Sequence, residues 1–227
     1  MMLSSFSRAL AQLPDPTFRK VLVKSLLLSI VVFVLLAAGL SSGVLLLPTT
    51  DMAWLNWVIG ILSGVGFFLG MVLLFPAVMT AMIGLFLDDI ADAVERRYYP
   101  DQASGKPLQT GPAILGALRF LGTVLLVNIL LLPVYAILLF FPPLSWLLSL
   151  AVNGWLIGRE YFEAVAFRYQ PPAEADLLRR QRRADIWRCG LLIVLLLTIP
   201  LVNFIVPIVA TAFMVHVYKR LRTPERP

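Results

Sequence analysis

Residues 25–50 read SLLLSIVVFVLLAAGLSSGVLLLPTT, 26 positions without one charged side chain. A helix needs about 20 such residues to cross a hydrocarbon core roughly 30 Å thick. The stretch is long enough, and residues 52–87, 120–158 and 189–218 are equally free of charge. Over all 227 residues, 59% are hydrophobic and 14% charged, with mean hydropathy +0.87. A soluble domain carries roughly a quarter charged residues. The chain reads as an all-α, multi-pass integral membrane protein.

The net charge of +6 fits basic loops held on the cytoplasmic side, so no nucleic acid partner is expected. Lysine and arginine fall in four groups, Arg8 to Lys24, Arg96 to Arg119, Arg159 to Arg188 and Lys219 to Arg226, and only Asp51 separates the first two apolar runs. The positive-inside rule then places both termini in the cytoplasm and the Pro48 to Asp51 turn outside. Two long transmembrane helices follow, at 17–47 and 52–98. The second is expected to continue through Asp88 and Arg97 into the cytoplasm, with Asp92 and Arg96 paired at i,i+4. Arg19, Lys20 and Lys24 ahead of Leu26 have the order of parts of a signal peptide, but the apolar run goes on to Leu47, so a retained helix is expected.

The third and fourth runs are basic at both ends, so each must enter from the cytoplasm and return. In the fourth, Pro200 and Pro207 leave legs of about 11 residues, or about 17 Å, too short to cross. A re-entrant, hemi-penetrating hairpin is predicted there, preceded by a basic helix after Pro171-Pro172, the two together covering 173–218. The third run, within 112–170, has Pro133 and Pro142-Pro143 around its turn and legs of about 14 to 20 residues, which suits a deeper hairpin or two marginal spans. Bare backbone at a hairpin tip needs protein or water over it, so an oligomer, a water-filled path or both are expected. Leu3, Phe6, Leu10 and Leu13 share one face of an N-terminal interfacial helix over 3–13. Glycine pairs at 39/43, 60/64, 66/70 and 154/158 permit close helix contact and predict tight packing of the first two spans.

Little here suggests catalysis. The one cysteine, Cys189, excludes an internal disulfide, and the one histidine, His216, reads as a packing residue. No nucleophile-elbow, zinc-protease, phosphate-loop or dinucleotide motif occurs, so neither an enzyme, nor an ATP-driven pump, nor a metal or other cofactor is expected. Asn128, Tyr135 and Asn203 are the polar groups expected deepest in the membrane, and Asn203 is expected to satisfy the hairpin's loose backbone, contact with a permeating ion being the other reading.

Two stretches could carry function. Asp15-Pro16-Thr17-Phe18-Arg19-Lys20 opens the first long helix with Asp15 as N-cap and Pro16 at N1. Free N–H groups beside Arg19 and Lys20 suit a divalent oxyanion, although the Asp15 carboxylate would compete for them; a plain cytoplasmic anchor is the other reading. The second stretch is Asn153-Gly154-Trp155-Leu156-Ile157-Gly158-Arg159-Glu160-Tyr161-Phe162-Glu163, where an apolar leg turns directly into alternating charge. Arg159, Glu160 and Glu163 there form either a gate at a cytoplasmic mouth or an interfacial anchor.

That last motif, with the basic N-terminal stretch, the two long spans and the proline-broken final hairpin, resembles the CysZ sulfate permease family, whose domain is shared with the etoposide-induced protein 2.4 proteins. The resemblance covers nearly the whole chain. It implies a bacterial inner-membrane homo-oligomer with two transmembrane helices and two hemi-penetrating hairpins, moving sulfate inward, without ATP, for cysteine biosynthesis. It also implies sulfate binding by a Gly-Leu-Arg-Arg/Lys type sequence, matched here by Thr17, Phe18, Arg19 and Lys20, with both cations kept and the glycine and leucine replaced. A function of another class is a non-transporting membrane protein that organises lipids or partner proteins through Arg179 to Arg183.

Overall fold

The computed structural model describes residues 2–45, 52–107, 110–199 and 202–222; the expected Pro48 to Asp51 turn and Pro200 lie outside them. All of its regular structure is helical. The order is α1 (Met2–Ala11), α2 (Pro16–Leu45), α3 (Ala53–Gly84), α4 (Leu87–Tyr98), α5 (Thr110–Leu138), α6 (Pro142–Ala166), α7 (Pro172–Gln181), α8 (Arg183–Leu197), a 3-10 turn at Val202–Phe204 and α9 (Val206–Arg222).

Helix α9 is the post around which the rest is built. It is buried from Val206 to Lys219, enclosed by α1, α4, α6 and α8 with the end of α3 against it. Pro207 falls in its first turn, where a missing N–H costs no helical hydrogen bond.

The apolar helices behave differently. Along α2 one stripe, Phe18, Val21, Ser25 and Ser29, is buried, and Ser29 Oγ donates to Ser25 O and lies 3.3 Å from Met79 Sδ of α3. The other faces present Leu27, Val31, Val34 and Leu35 outward, each more than half exposed. Trp54, Trp57 and Leu62 on α3 and Leu126, Ile129 and Leu132 on α5 are equally bare. Such a surface is untenable in water and ordinary against acyl chains. Among the described residues one helical stretch, Pro16–Gly39, is long and apolar enough to cross a bilayer, with shorter apolar stretches at Ala53–Phe68 and Gly122–Leu138.

Several expectations are corrected. The continuous helix over 52–98 is two helices, broken at Leu85 and Phe86. Gly84 weakens the end of α3, while Asp88 and Asp89 suit a new N-terminus and Arg96 and Arg97 a C-terminus, so α4 forms as a separate unit complementary to its own dipole. Pro133 does not bound the first hairpin's turn. It lies inside α5, and the turn is at residues 139–141 with Pro142 and Pro143 starting α6. The legs are therefore 29 and 25 residues, or on the order of 40 Å. The second hairpin's legs are likewise 15 and 17 residues, because α8 starts within the basic segment and α9 runs on into Arg222.

Helix α1 buries Ser5 and Ala9 against the bundle, with Gln12 just beyond it, and of the apolar face read from the sequence Leu3 (75%) and Leu10 (40%) are exposed while Phe6 and Leu13 are half-buried. Small residues let α1 lie close on α9, with Phe6 edge-on to Phe213 at 5.6 Å. Among the described glycines none packs the first two spans tightly: a Cβ added at Gly39, Gly60, Gly64 or Gly66 would meet nothing within 4 Å. Gly43 and Gly70 are outside the residues whose surroundings are described. The close contact belongs to Gly154 and Gly158 instead: a Cβ on Gly190 of α8 would stand 1.9 Å from the Gly154 carbonyl and 2.7 Å from Gly158 Cα.

Candidate functional site

The start of α2 is where the sequence places an oxyanion. Asp15 is the cap: its Oδ1 accepts the Thr17 N–H at 2.8 Å, and its backbone carbonyl accepts the Arg19 N–H at 3.1 Å. The Gln12 side chain steadies that carboxylate, donating to Oδ2 at 3.4 Å and to the Ala93 carbonyl at 3.1 Å. Arg97 of α4 approaches Asp15 Oδ2 at 3.9 Å. One amide of the helix start is therefore already occupied by an anion of the protein itself. Phe18 is 2% exposed and packs in the core, so its side chain cannot touch a ligand in water. Arg19 and Lys20 are both exposed, and Thr17 is half-buried between them and the cap. Any oxyanion here would meet the two cationic side chains, with Arg97 nearby, more than the backbone.

The second candidate lies where α6 leaves its apolar part at Gly158. Arg159 Nε donates to Glu163 Oε1 at 2.8 Å, and Arg179 of α7 stands 3.1 Å from the same oxygen. Asp176 in turn holds Arg179, and Arg180 at 2.8 Å. Glu163 thus fastens α7 to α6. Burial, then repulsion from Glu163, pushes Glu160 up to about 7. The pair expected from spacing is present, while Glu160 stands apart from it.

A third cluster was not foreseen. Arg168, 4% exposed, forms ion pairs with Asp88 and Asp92 of α4 and lies 3.7 Å from Glu95. Burial works against its charge, and the three carboxylates outweigh burial, holding Arg168 above its ordinary value. Glu95 also accepts the Tyr169 hydroxyl and, at 2.9 Å, the Gly105 N–H. Gly105 has to be glycine, because a Cβ there would meet Arg168 at 2.8 Å. Lys219 of α9 donates to the Ala103 carbonyl at 2.9 Å and stands over the Tyr169 ring at 4.4 Å. The network ties α4, the 99–107 loop, the end of α6 and α9 into one charged knot. Asp92 therefore faces Arg168, in place of the expected partner Arg96. The signal available in the sequence was the spacing of Asp88, Asp92 and Glu95, one acidic stripe on one helical face.

The remaining polar groups are quieter. His216 is buried, with Nδ1 2.9 Å from the Tyr99 hydroxyl and its ring against Tyr98, a packing role as expected. Asn203 donates its backbone N–H to the Ile199 carbonyl, but among the described residues its side-chain oxygen has no hydrogen-bond partner, so that oxygen does not serve the hairpin's backbone. Asn128 and Asn153 each return a side-chain N–H to a carbonyl four residues back. No group of three or more metal-ligating side chains occurs among the described residues.

A membrane-type helical fold, with outward apolar helices and cations grouped at helix ends, is the class these features define. The model of the family described as Sulfate transporter CysZ/Etoposide-induced protein 2.4 matches residues 5–207, and the chain belongs to that family. No curated protein matches the chain.

Proposed function

We propose that the protein is a sulfate permease of the bacterial inner membrane that takes up sulfate without ATP. The observation that carries the reading is the pair Arg19 and Lys20, both exposed within the first five residues of the one described helical stretch able to cross a bilayer. Two cations there, with Arg97 close by, attract a divalent oxyanion and hold it by charge-assisted hydrogen bonds. The positive-inside distribution gives cytoplasmic termini, so this helix start faces the cytoplasm. The α5–α6 and α8–α9 hairpins line or seal the path, the latter inserting only partway, and Arg159, Glu160 and Glu163 gate it. The bare faces of α2, α3 and α5 offer room for lipid and for further copies of the chain in a homo-oligomer.

Equilibrium titration of sulfate into purified protein tests the site. Binding to wild type that weakens at least tenfold in the Arg19→Ala, Lys20→Ala double variant supports it. Unchanged binding moves the anion elsewhere. The reading that the protein organises lipids or partners draws on Arg182 and Arg183, both exposed at the α7–α8 junction.

A further inference from the structure

The turn of the first hairpin is bare. Leu139, Phe140, Phe141, Leu144 and Trp146 are each more than half exposed, Phe140 at 81%. The tip carries no charge, and the nearest charges along the chain are Arg119 on the α5 leg and Arg159 on the α6 leg. Helix α5 packs mainly on α6, so the hairpin leans on the bundle through α6. Length sets the depth of its tip. From Phe120, just past Arg119, to Leu138 the α5 leg rises about 28 Å, and from Pro142 to Gly158, just before Arg159, the α6 leg rises about 26 Å. Helix α2 is a ruler within the same chain: from Ser25, just past Lys24, to Leu45 it rises about 31 Å. The tip therefore falls within about 5 Å of the far edge of a core roughly 30 Å thick. The second hairpin is shallower, since Cys189 to Leu197 rises only about 14 Å.

The backbone of the tip points to the same level. The Phe140 and Phe141 N–H groups donate to the Ile137 and Leu138 carbonyls at 3.4 and 2.8 Å, and those of Leu144 and Ser145 donate to the Phe141 carbonyl at 3.0 and 3.2 Å. Pro142 and Pro143 open α6 without an N–H, which removes two of the donors that a helix start leaves orphaned. The carbonyls of Leu139 and Phe140, however, accept no hydrogen bond among the described residues. Bare carbonyls are untenable in hydrocarbon and are met by water at the headgroup boundary, where tryptophan also collects. We propose that the α5–α6 hairpin crosses the whole bilayer and that its tip is a lipid anchor, seated in the hydrated ester region of the leaflet opposite Arg119 and Arg159. The exposed Trp54 and Trp57, at the start of α3 beyond the α2 span, belong to the same belt. The anchor fixes the depth of α5, whose apolar length the bundle leaves bare. It rests on length and composition alone, and so stands or falls separately from sulfate transport.

Depth-dependent fluorescence quenching tests it on the full chain in liposomes. Cys189, 1% exposed, is replaced by alanine, and a thiol-reactive dye is placed at Phe140→Cys or at Ile129→Cys, the latter midway along the α5 leg and 67% exposed. Doxyl lipids carry the quencher either high on the acyl chain, beside the headgroup, or low, at the bilayer centre. The high quencher should act about twofold more strongly than the low one on the dye at Phe140→Cys, and the order should reverse at Ile129→Cys, because a spanning hairpin passes through the centre on its way to the far interface. Stronger quenching of the Phe140→Cys dye from the centre overturns the proposal, as it leaves the tip midway. So does shallow quenching at both positions, which lays the hairpin along one surface, and so does protection of the Phe140→Cys dye from both quenchers, which puts a second copy of the chain over the tip. Both labelled positions are exposed and need no repacking; should Cys189→Ala not fold, the native background serves, since a thiol so buried takes no dye.

Discussion

Replacing Gly190 with alanine puts a methyl group where no atom can be. Its Cβ would fall 1.9 Å from the Gly154 carbonyl oxygen, 2.6 Å from Gly158 N and 2.7 Å from Gly158 Cα. All three neighbours are backbone, so no rotamer change relieves the overlap. The helices α6 and α8 must part by roughly 1 Å, and a gap of that size forfeits about a quarter to a half of the attraction at each contact it opens. Overpacking a core costs about 1–3 kcal/mol, and a backbone-on-backbone clash belongs at about 3 kcal/mol, the top of that range. At about 2–4 °C per kcal/mol for a chain of this size, melting should fall by about 6–12 °C. The assay is loss of the monodisperse peak in detergent, followed by intrinsic fluorescence on a size-exclusion column after heating. Gly64→Ala is the control: with nothing within 4 Å of the added methyl, it should stay within about 0.5 kcal/mol of wild type. A Gly190→Ala curve that superimposes on wild type would refute the reasoning, because α6 and α8 could not then meet at these glycines.

Other outcomes follow from the same contacts. Arg168→Ala leaves Glu95 buried without its cation and should cost about 3 kcal/mol by the same thermal assay, while Arg168→Lys, which cannot fork between carboxylates, should recover only part of it. Phe18→Ala should lower stability by about 3 kcal/mol through a cavity beneath α2, whereas Arg19→Ala should leave melting within about 0.5 kcal/mol. Glu160 has a folded-state pKa raised from the ordinary 4.5 to about 7, so the folded state holds the proton more tightly and this group's contribution to stability falls as pH rises from 4.5 through 7. Melting measured at pH 5 and pH 7.5 should accordingly differ more in wild type than in Glu160→Gln; an equal difference in both contradicts the assignment.

Composition and charge grouping were enough to read the helical class and the long apolar helix that begins at Pro16, because both rest on a bulk property summed over many residues. The Asp15 cap and the Arg159–Glu163 pair were legible for a different reason: both are local, fixed by spacings of two and four residues. What stayed hidden depends on distant partners. Arg168 meets Asp88 across 80 positions, and Gly154 and Gly158 take their partner from Gly190 on another helix, outside any small-xxx-small pair. The position of Pro133 inside α5 misled for a physical reason too, since membrane helices tolerate proline where neighbours or local adjustment satisfy the freed carbonyl. The burial of Ser5 and Ala9 of α1 shows the same limit, since docking on α9 decides that face and hydrophobicity does not.

The central claim is transport, and sulfate flux tests it most directly. Purified protein reconstituted into liposomes should admit radiolabelled sulfate faster than protein-free liposomes, without ATP, and more slowly when Arg19 and Lys20 are both alanine. Wild-type flux no greater than that of empty liposomes, with insertion and folding verified, would contradict the account.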